Sequence, residues 1–266
     1  MADLLRESGA DTSLLCEVDG PSGHAVIEIN AAGQNRIIVF GGANRRETRE
    51  YIERVLDTAQ PDDWVLLQNE VNLVPEIIRR AHEKRLRVVF NPSPMPENRD
   101  ALPLACVSLF MVNEIEAAQL AGTDANADFE DTLTALREKY PNASVVMTVG
   151  ADGVLYDGEE GRFQLPAFKV KAVDTTAAGD TFCGYFLAAV CAGKSVQTAL
   201  QEASAASALA VSRTGAAPSV PTADEVREFC AGTHKSSETG QTESPKGVYR
   251  YAHYNRTRRL YFLRSV

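Results

Sequence analysis

The chain has 266 residues, 44% of them hydrophobic and 24% charged, as expected for one large or two small globular domains. Its net charge of −9, the lack of a long apolar run and an N-terminus without signal-peptide features argue against nucleic-acid binding, a membrane span and secretion. Five scattered cysteines without C-x-x-C spacing and four unpaired histidines predict reduced thiols, no transition-metal centre and a cytoplasmic or nuclear location.

The predicted elements begin with a short helix within residues 1–15 and a β-hairpin with strands Ala25–Asn30 and Arg36–Phe40. The residue pattern then predicts, in chain order, a strand at Trp64–Gln68, a helix at Val74–Lys84, a strand at Arg87–Asn91, a strand near Leu109–Val112, a helix from Glu114, a helix at Asp128–Tyr140, a strand at Ser144–Val149, a hairpin-like segment at Gly153–Val170, a helix that starts within the segment VDTTAAGDTF, and helices at Ser195–Arg213 and Thr222–Cys230. Alternating strands and helices predict a mostly parallel sheet covered on both faces.

The last part of the chain differs in composition. From His234 onward there are seven Lys or Arg and two Asp or Glu, a net +5 that leaves about −14 on the rest. This stretch is also rich in Ser, Thr and Gly. We therefore predict one domain over residues 1–232 and a basic, disordered tail over 233–266, with a basic interaction segment as the alternative.

Two common nucleotide-binding motifs are excluded. Residues Ala188–Ser195 fit a relaxed phosphate-loop pattern, but the Gly-Lys-Ser follows a predicted helix instead of leaving a strand. Gly193 there is better interpreted as a helix C-terminal cap. No G-x-G-x-x-G segment follows a predicted strand, so nothing local indicates a dinucleotide-binding dehydrogenase.

The segment VDTTAAGDTF, residues 173–182, joins a predicted strand end to a helix start through small residues. Backbone N–H groups at Ala177, Ala178 and Gly179 can approach an anion closely, and the helix dipole favours negative charge there. Asp180 beside them can accept a proton from an attacking hydroxyl, as a general base does in phosphoryl transfer. Taken alone, the segment leaves two interpretations open, a helix cap or an anion hole with a base.

Two further segments could serve a nucleotide site. Asn113 and Glu116 lie three apart at a helix start, so they form either a capping arrangement or a pair that reaches Mg²⁺. The loop TVGADG, residues 148–153, follows a strand and is either a nucleotide-contacting loop or an ordinary turn.

Five segments in this order resemble the PfkB family of carbohydrate kinases: NPSPMP, VNEIEAAQLAG, TVGADG, VDTTAAGDTF and AVSRTGAAPSVP. The resemblance runs from about residue 1 to about residue 230, and AAGD with TGAAPSVP is most similar to the ribokinase branch. It implies a three-layer α/β/α fold with a mostly parallel central sheet, a small β lid over about residues 22–42, and ATP-dependent phosphorylation of D-ribose at O5.

The resemblance also implies roles for single residues. Asp180 would be the base and would contact the sugar with Glu70, while Ala177, Ala178 and Gly179 would form the anion hole. The ATP site would comprise Asn113, Thr148, Val149, Gly150, Ala151, Asp152, Gly153, Gly179, Asp180 and Ser204. Asn113 and Glu116 would act on Mg²⁺. A K⁺ ion would be surrounded by Asp174, Thr176, Ala210, Arg213, Gly215 and Ser219.

The chain departs from the family pattern at the sugar site. The family's first strand, with its sugar-contacting Asn and Asp, and its G-G-x-G-x-N segment are not found in these residues; Gly41-Gly42-Ala43-Asn44 follows the lid hairpin instead. We therefore expect missing N-terminal strands and exposed sheet edges. Besides a ribose kinase, the sequence is compatible with a catalytically impaired nucleotide-binding protein, a fragment, or another sugar kinase of the family. The resemblance also implies a homodimer formed through the lid.

Overall fold

The computed structural model describes residues 2–29, 35–237 and 259–262. The helices are α1 (Ala2–Glu7), α2 (Arg49–Leu56), α3 (Val74–Glu83), α4 (Glu114–Ala121), α5 (Phe129–Lys139), α6 (Ala178–Cys191), α7 (Val196–Val211) and α8 (Ala223–Ser237). The strands are β1 (His24–Ile29), β2 (Asn35–Phe40), β3 (Trp64–Gln68), β4 (Arg87–Asn91), β5 (Leu109–Asn113), β6 (Ser144–Thr148), β7 (Val154–Gly158), β8 (Gly161–Leu165) and β9 (Leu260–Phe262). The predicted fold is confirmed: a three-layer α/β/α arrangement with a mostly parallel seven-stranded sheet.

The chain divides into two compact units, residues 1–110 with 261–266, and residues 111–260. The first unit holds β3 and β4 with parts of β9 and β5, in the order β9-β3-β4-β5, in which β3–β4 and β4–β5 are parallel. The second holds β6-β7-β8, with both neighbouring pairs antiparallel. The boundary falls inside β5, whereas the sequence predicted a single domain over residues 1–232.

The core strands of the first unit contain consecutive apolar residues, with no alternation of apolar and polar side chains. Val65 and Leu67 of β3 and Val88, Val89 and Phe90 of β4 are all 0% exposed. Continuous burial of this kind follows when helices cover both faces of a parallel sheet. Both strands have the bounds that the sequence predicted.

Local signals start and end the helices. Thr48 accepts a hydrogen bond from Tyr51 N at 3.1 Å and caps α2, and Ser195 accepts one from Thr198 N at 3.3 Å and caps α7. Gly193 follows α6 with φ +80°, a left-handed conformation that suits glycine. The Gly-Lys-Ser segment therefore follows a helix, which confirms the rejection of a phosphate loop.

The lid hairpin forms a separate two-stranded sheet of β1 and β2, with Val26 opposite Ile38 and His24 opposite Phe40. Val26 is 53% exposed, Ile38 50% and Phe40 50%. Asn30, the last residue of the first predicted lid strand, lies outside the described residues.

The end of the chain contains more structure than its composition predicted. Helix α8 continues to Ser237, past the expected boundary at residue 232, and β9 pairs with the outer edge of β3. The sequence predicted exposed sheet edges, whereas the edge at β3 is covered, in part, by a strand from the predicted tail. The rest of that tail, residues 238–258 and 263–266, lies outside the described residues. None of the helices in the described ranges has the length and apolar content needed to cross a bilayer.

Candidate active site

The small-residue segment forms the start of α6. Ala177 occupies the N-cap position and makes no side-chain cap, because alanine has no hydrogen-bonding group. Ala178 N donates to Thr175 O at 3.2 Å, and no backbone carbonyl of the described residues accepts from Gly179 N. Asp180 lies exposed in the first turn. The start of α6 thus presents backbone donors, the positive end of a 14-residue helix and one carboxylate.

A serine that the sequence analysis did not single out supports this helix start. Ser207 on α7 donates from Oγ to Ala178 O at 3.1 Å. Buried alanines on α7, including Ala203 and Ala206, allow α6 and α7 to approach closely. Ser204, the predicted ATP-site residue, lies one turn before Ser207 and is half-buried. The only sequence signal for Ser207 was this i, i+3 spacing within an Ala-rich helix.

Asp174 joins two segments that are distant in the sequence. Its Oδ1 accepts from Thr176 N at 3.0 Å and from Thr176 Oγ1 at 2.6 Å, and its Oδ2 accepts from Gly215 N at 2.9 Å. The hydrogen bond from the Thr176 hydroxyl, followed by those from the N–H groups of Gly215 and Thr176, lowers the pKa of Asp174. The carboxylate therefore stays charged and holds the loop after α7 beside the segment that leads into α6.

Of the other predicted K⁺ residues, Arg213, Gly215 and Ser219 lie on that loop, and Ala210 lies in the last turn of α7. Ala210 O accepts from Arg213 N at 3.0 Å, and Ser219, which is 1% exposed, donates from Oγ to Ala216 O at 2.7 Å. The side chain of Arg213 is paired with Glu225 at 2.6 Å. The carbonyl and hydroxyl oxygens of this segment and the Asp174 carboxylate, which Gly215 N contacts, are the donor types that a hard cation prefers. The guanidinium of Arg213 is not part of that chemistry, so only its backbone carbonyl could contribute.

Asn113 and Glu116 form a capping box at the start of α4. Asn113 Oδ1 accepts from Glu116 N at 2.8 Å, and Glu116 Oε2 accepts from Asn113 N at 3.0 Å. Burial raises the pKa of Glu116, partly opposed by the hydrogen bond from the Asn113 backbone. The structure thus contains the capping arrangement that the sequence analysis named. The capping box does not use Glu116 Oε1, so this oxygen could still bind Mg²⁺ or its waters.

The 148–153 loop follows β6 and turns tightly. Val149 N donates to Gly153 O at 2.9 Å, and Gly150–Asp152 form one 3₁₀ turn. Gly150 has φ +54° with open space where a side chain would begin. Gly153 has φ +110°, and a Cβ there would lie 2.0 Å from Leu165 O. Gly153 is therefore required by packing, whereas Gly150 borders open space.

Glu70 lies in the first unit, two residues beyond the end of β3, and is half-buried with a buried Oε2. Close by in sequence, Asn69 Nδ2 donates to Pro94 O at 3.0 Å and ties the end of β3 to the segment after β4. The other candidate residues all lie in the second unit. Within that unit the structure brings together the start of α6, Asp174, Thr176 and the loop after α7.

A buried cysteine on α6 has no reactive character. Cys183, one turn into α6, is 5% exposed and its Sγ contacts Met111 Sδ at 3.4 Å. Burial raises its pKa to about 12, so the thiol stays neutral and its role is packing. Within the described ranges, no group of three or more His, Cys, Asp or Glu side chains could hold a metal ion.

The chain is similar to one protein family and to several individual proteins. Residues 1–223 match the model of the pfkB family of carbohydrate kinases. The chain is 32% identical to the ribokinase of Bacillus subtilis over 228 residues, which cover 85% of this chain and 74% of that protein. It is 31% identical to the ribokinase of Haemophilus influenzae (86% of this chain, 76% of that protein). It is 30% identical to a deoxyribokinase of Salmonella typhi (78% of this chain, 69% of that protein).

Solved structures give the same result. Ribokinase from Thermotoga maritima has a TM-score of 0.73 at 33% identity, covering 86% of this chain and 77% of that one. Ribokinase from Cryptococcus neoformans in complex with ADP has a TM-score of 0.73 at 33% identity, covering 85% and 78%. Ribokinase from Arabidopsis thaliana complexed with ribose and ATP has a TM-score of 0.67 at 28% identity, covering 79% and 70%. The family match, these relatives and the confirmed fold together show that the chain belongs to the pfkB family of carbohydrate kinases.

Proposed function

We propose that this chain transfers the γ-phosphoryl group of ATP to O5 of D-ribose, giving ribose 5-phosphate and ADP. The observation that carries the proposal is the start of α6, where Asp180 stands in the first turn of a helix without a side-chain cap. Ribokinase relatives complexed with ADP, and with ribose and ATP, support the choice of substrates.

In this proposal each part of the helix start has a separate task. Asp180 accepts the proton from the ribose O5 hydroxyl as that oxygen attacks the γ-phosphorus in line. The new O5–P bond forms while the bond from the γ-phosphorus to its bridging oxygen breaks, and ADP leaves. The backbone N–H groups of residues 177–179 and the helix dipole stabilise the negative charge on the transferring group. Ser207 keeps that backbone in position through Ala178.

ATP would be held by Asn113, by the 148–153 loop and by Ser204, around the start of α6. The open space beside Gly150 supports a ligand-facing position for that loop. Glu116 Oε1 would bind Mg²⁺ or its water shell, and Mg²⁺ would neutralise charge on the phosphates. K⁺ would lie near Asp174 and Thr176, among the oxygens of the loop after α7, and would support the anion hole electrostatically.

The sugar would be contacted by Glu70 and covered by the lid. The exposed apolar residues of β1 and β2 support a lid that pairs with a second copy, giving a homodimer. The five cysteines are free thiols, which supports a reducing compartment, the cytoplasm or the nucleus.

Ribose-dependent ADP formation, with and without K⁺ and Mg²⁺, tests the proposal. Asp180→Asn should lower kcat by about 10²–10⁴-fold, the range for loss of a general base. Asp131→Asn is the matched control, because Asp131 also lies exposed in the first turn of a helix but in no candidate site. Undiminished activity of Asp180→Asn would contradict the base assignment, and a preference for 2-deoxyribose would reassign the substrate.

A second candidate function is a nucleotide-binding protein without sugar kinase activity. The observation that favours it is that the 266 residues contain no G-G-x-G-x-N segment. Titration calorimetry separates the candidates: ATP binding without ribose binding or turnover supports the second, and binding of both with turnover supports the first.

A further inference from the structure

A buried side-chain oxygen without a hydrogen-bond partner lies at the carboxyl end of β4, in the first unit. Asn91 is the last residue of β4, and its Oδ1 is buried without a hydrogen-bond partner. A buried acceptor without a donor destabilises the folded protein unless a ligand or water supplies the donor. Such groups therefore call for a specific explanation.

The local sequence prevents the usual solution for an asparagine in a turn. Asn side chains in turns commonly accept from a backbone N–H one or two residues later. The next residue, Pro92, has no N–H group. The N–H of Ser93 donates to the main-chain oxygen of Asn91 at 2.8 Å, not to its side chain. The turn thus leaves Oδ1 of Asn91 unused.

The position of Asn91 indicates what could use this oxygen. Asn91 pairs in parallel register with Gln68, the last residue of β3, and Glu70 follows two residues later. The carboxyl ends of parallel strands are where ligands bind in open α/β sheets. An amide oxygen accepts hydrogen bonds, and a sugar supplies hydroxyl donors.

We propose that Asn91 is a sugar-contacting residue whose Oδ1 accepts a hydrogen bond from a hydroxyl of the bound pentose. This inference rests on the proposed function and adds a specificity-determining residue to it. Asn91 and Glu70 then form the sugar-binding part of the first unit, from the ends of adjacent strands. ATP also carries ribose hydroxyls, so the test must separate the two sources.

The test replaces Asn91 by leucine, which has a similar size but no polar group. KM and kcat are measured for ribose and for ATP separately, and the melting temperature is measured without ligands. Asn98→Leu is the matched control, because Asn98 is exposed and its side chain makes no capping hydrogen bond. Asn91→Ala provides a smaller second variant with the same readouts, should leucine not fit the space.

We expect the ribose KM of Asn91→Leu to rise roughly 5- to 150-fold, which corresponds to about 1–3 kcal/mol. The ATP KM should stay within about twofold, and the melting temperature without ligand should not fall, because an unpartnered buried acceptor is replaced by an apolar group. A purely structural role would give the reverse: a lower melting temperature with an unchanged ribose KM.

Several outcomes would overturn the inference. An unchanged ribose KM in both Asn91 variants would do so, and so would a shift in the ATP KM alone, which would assign the amide to the nucleotide. If the wild-type chain binds and phosphorylates no ribose, the proposed function fails first, and this inference fails with it. A wild-type chain that is active while the Asn91 variants behave like the control refutes only the role of Asn91.

Discussion

The two glycines of the 148–153 loop should respond differently to the same substitution. A Cβ on Gly153 would meet Leu165 O at 2.0 Å and Ala167 N at 2.8 Å, both backbone atoms that side-chain movement cannot relieve. A Cβ on Gly150 would meet nothing within 4 Å. Both glycines have positive φ, +110° and +54° respectively, so both replacements also introduce backbone strain.

The expected magnitudes follow from these contacts. For Gly153→Ala, backbone strain costs about 1–3 kcal/mol and overpacking costs a further ~1–3 kcal/mol. For Gly150→Ala, left-handed strain of about 1–2 kcal/mol is partly offset by the lower entropy of the unfolded chain. At about 2–4 °C per kcal/mol, Gly153→Ala should lower the melting temperature by roughly 10 °C and Gly150→Ala by roughly 2–4 °C.

Thermal denaturation and ATP kinetics, measured on the same samples, test this reasoning. Gly122→Ala is the matched control, since Gly122 has φ +83° with nothing within 4 Å and belongs to no candidate site. It should match Gly150→Ala in stability, but only Gly150→Ala should raise the ATP KM, by about 3- to 10-fold, if the open space receives the nucleotide. The reasoning is refuted if Gly153→Ala is as stable as the other two variants.

Three further predictions follow from single contacts. Ser207→Ala removes the hydroxyl that donates a hydrogen bond to Ala178 O. As a result, kcat should fall about 3- to 10-fold with little change in KM. An effect on KM alone would argue against a positioning role. Hydrogen bonds from the Arg213 guanidinium and then from Thr222 lower the pKa of Glu225 from 4.5 to about 2. The stability that the charged Glu225 contributes is therefore present above about pH 4.5 and is lost as the pH falls toward 2. The melting temperatures of wild type and Glu225→Gln should differ at neutral pH and converge near pH 2. Deleting residues 259–266 removes β9 from the edge of β3. The melting temperature should fall, and light scattering should increase because exposed sheet edges associate with one another. Unchanged values of both would show that the edge of β3 needs no covering strand.

Where a short-range pattern dominates, the sequence was a reliable guide to the fold. The apolar runs at Trp64–Gln68 and Arg87–Asn91 gave strands with the predicted bounds, because buried parallel strands have few alternatives. The helix predicted at Thr222–Cys230 spans Ala223–Ser237 in the structure. The predicted end was wrong because the polar composition after residue 232 indicated a disordered tail. The family resemblance was confirmed by the match over residues 1–223.

The candidate site was predictable only as a set of residue types. The segment VDTTAAGDTF indicated donors and a carboxylate at a helix start, and the structure places Asp180 and the small residues there. Their roles stay predictions, as do those of Glu70, Ser204 and the two cation sites. Asn113 and Glu116 form the predicted cap, and the predicted contact with Mg²⁺ stays a prediction, because the capping box uses only one oxygen of Glu116.

By itself, the sequence determined the fold class, the family and the residue types at the start of α6, because each depends on neighbouring residues whose spacing limits the local backbone. Tertiary structure alone decided the contacts between distant segments: Asp174 with Gly215, 41 residues apart, Ser207 with Ala178, and β9 beside β3. The same holds for Asn91, whose polarity is visible in the sequence but whose buried, unpartnered oxygen is not. Hydrogen bonding and burial depend on which segments contact each other in the folded chain, and a local sequence pattern does not specify those contacts.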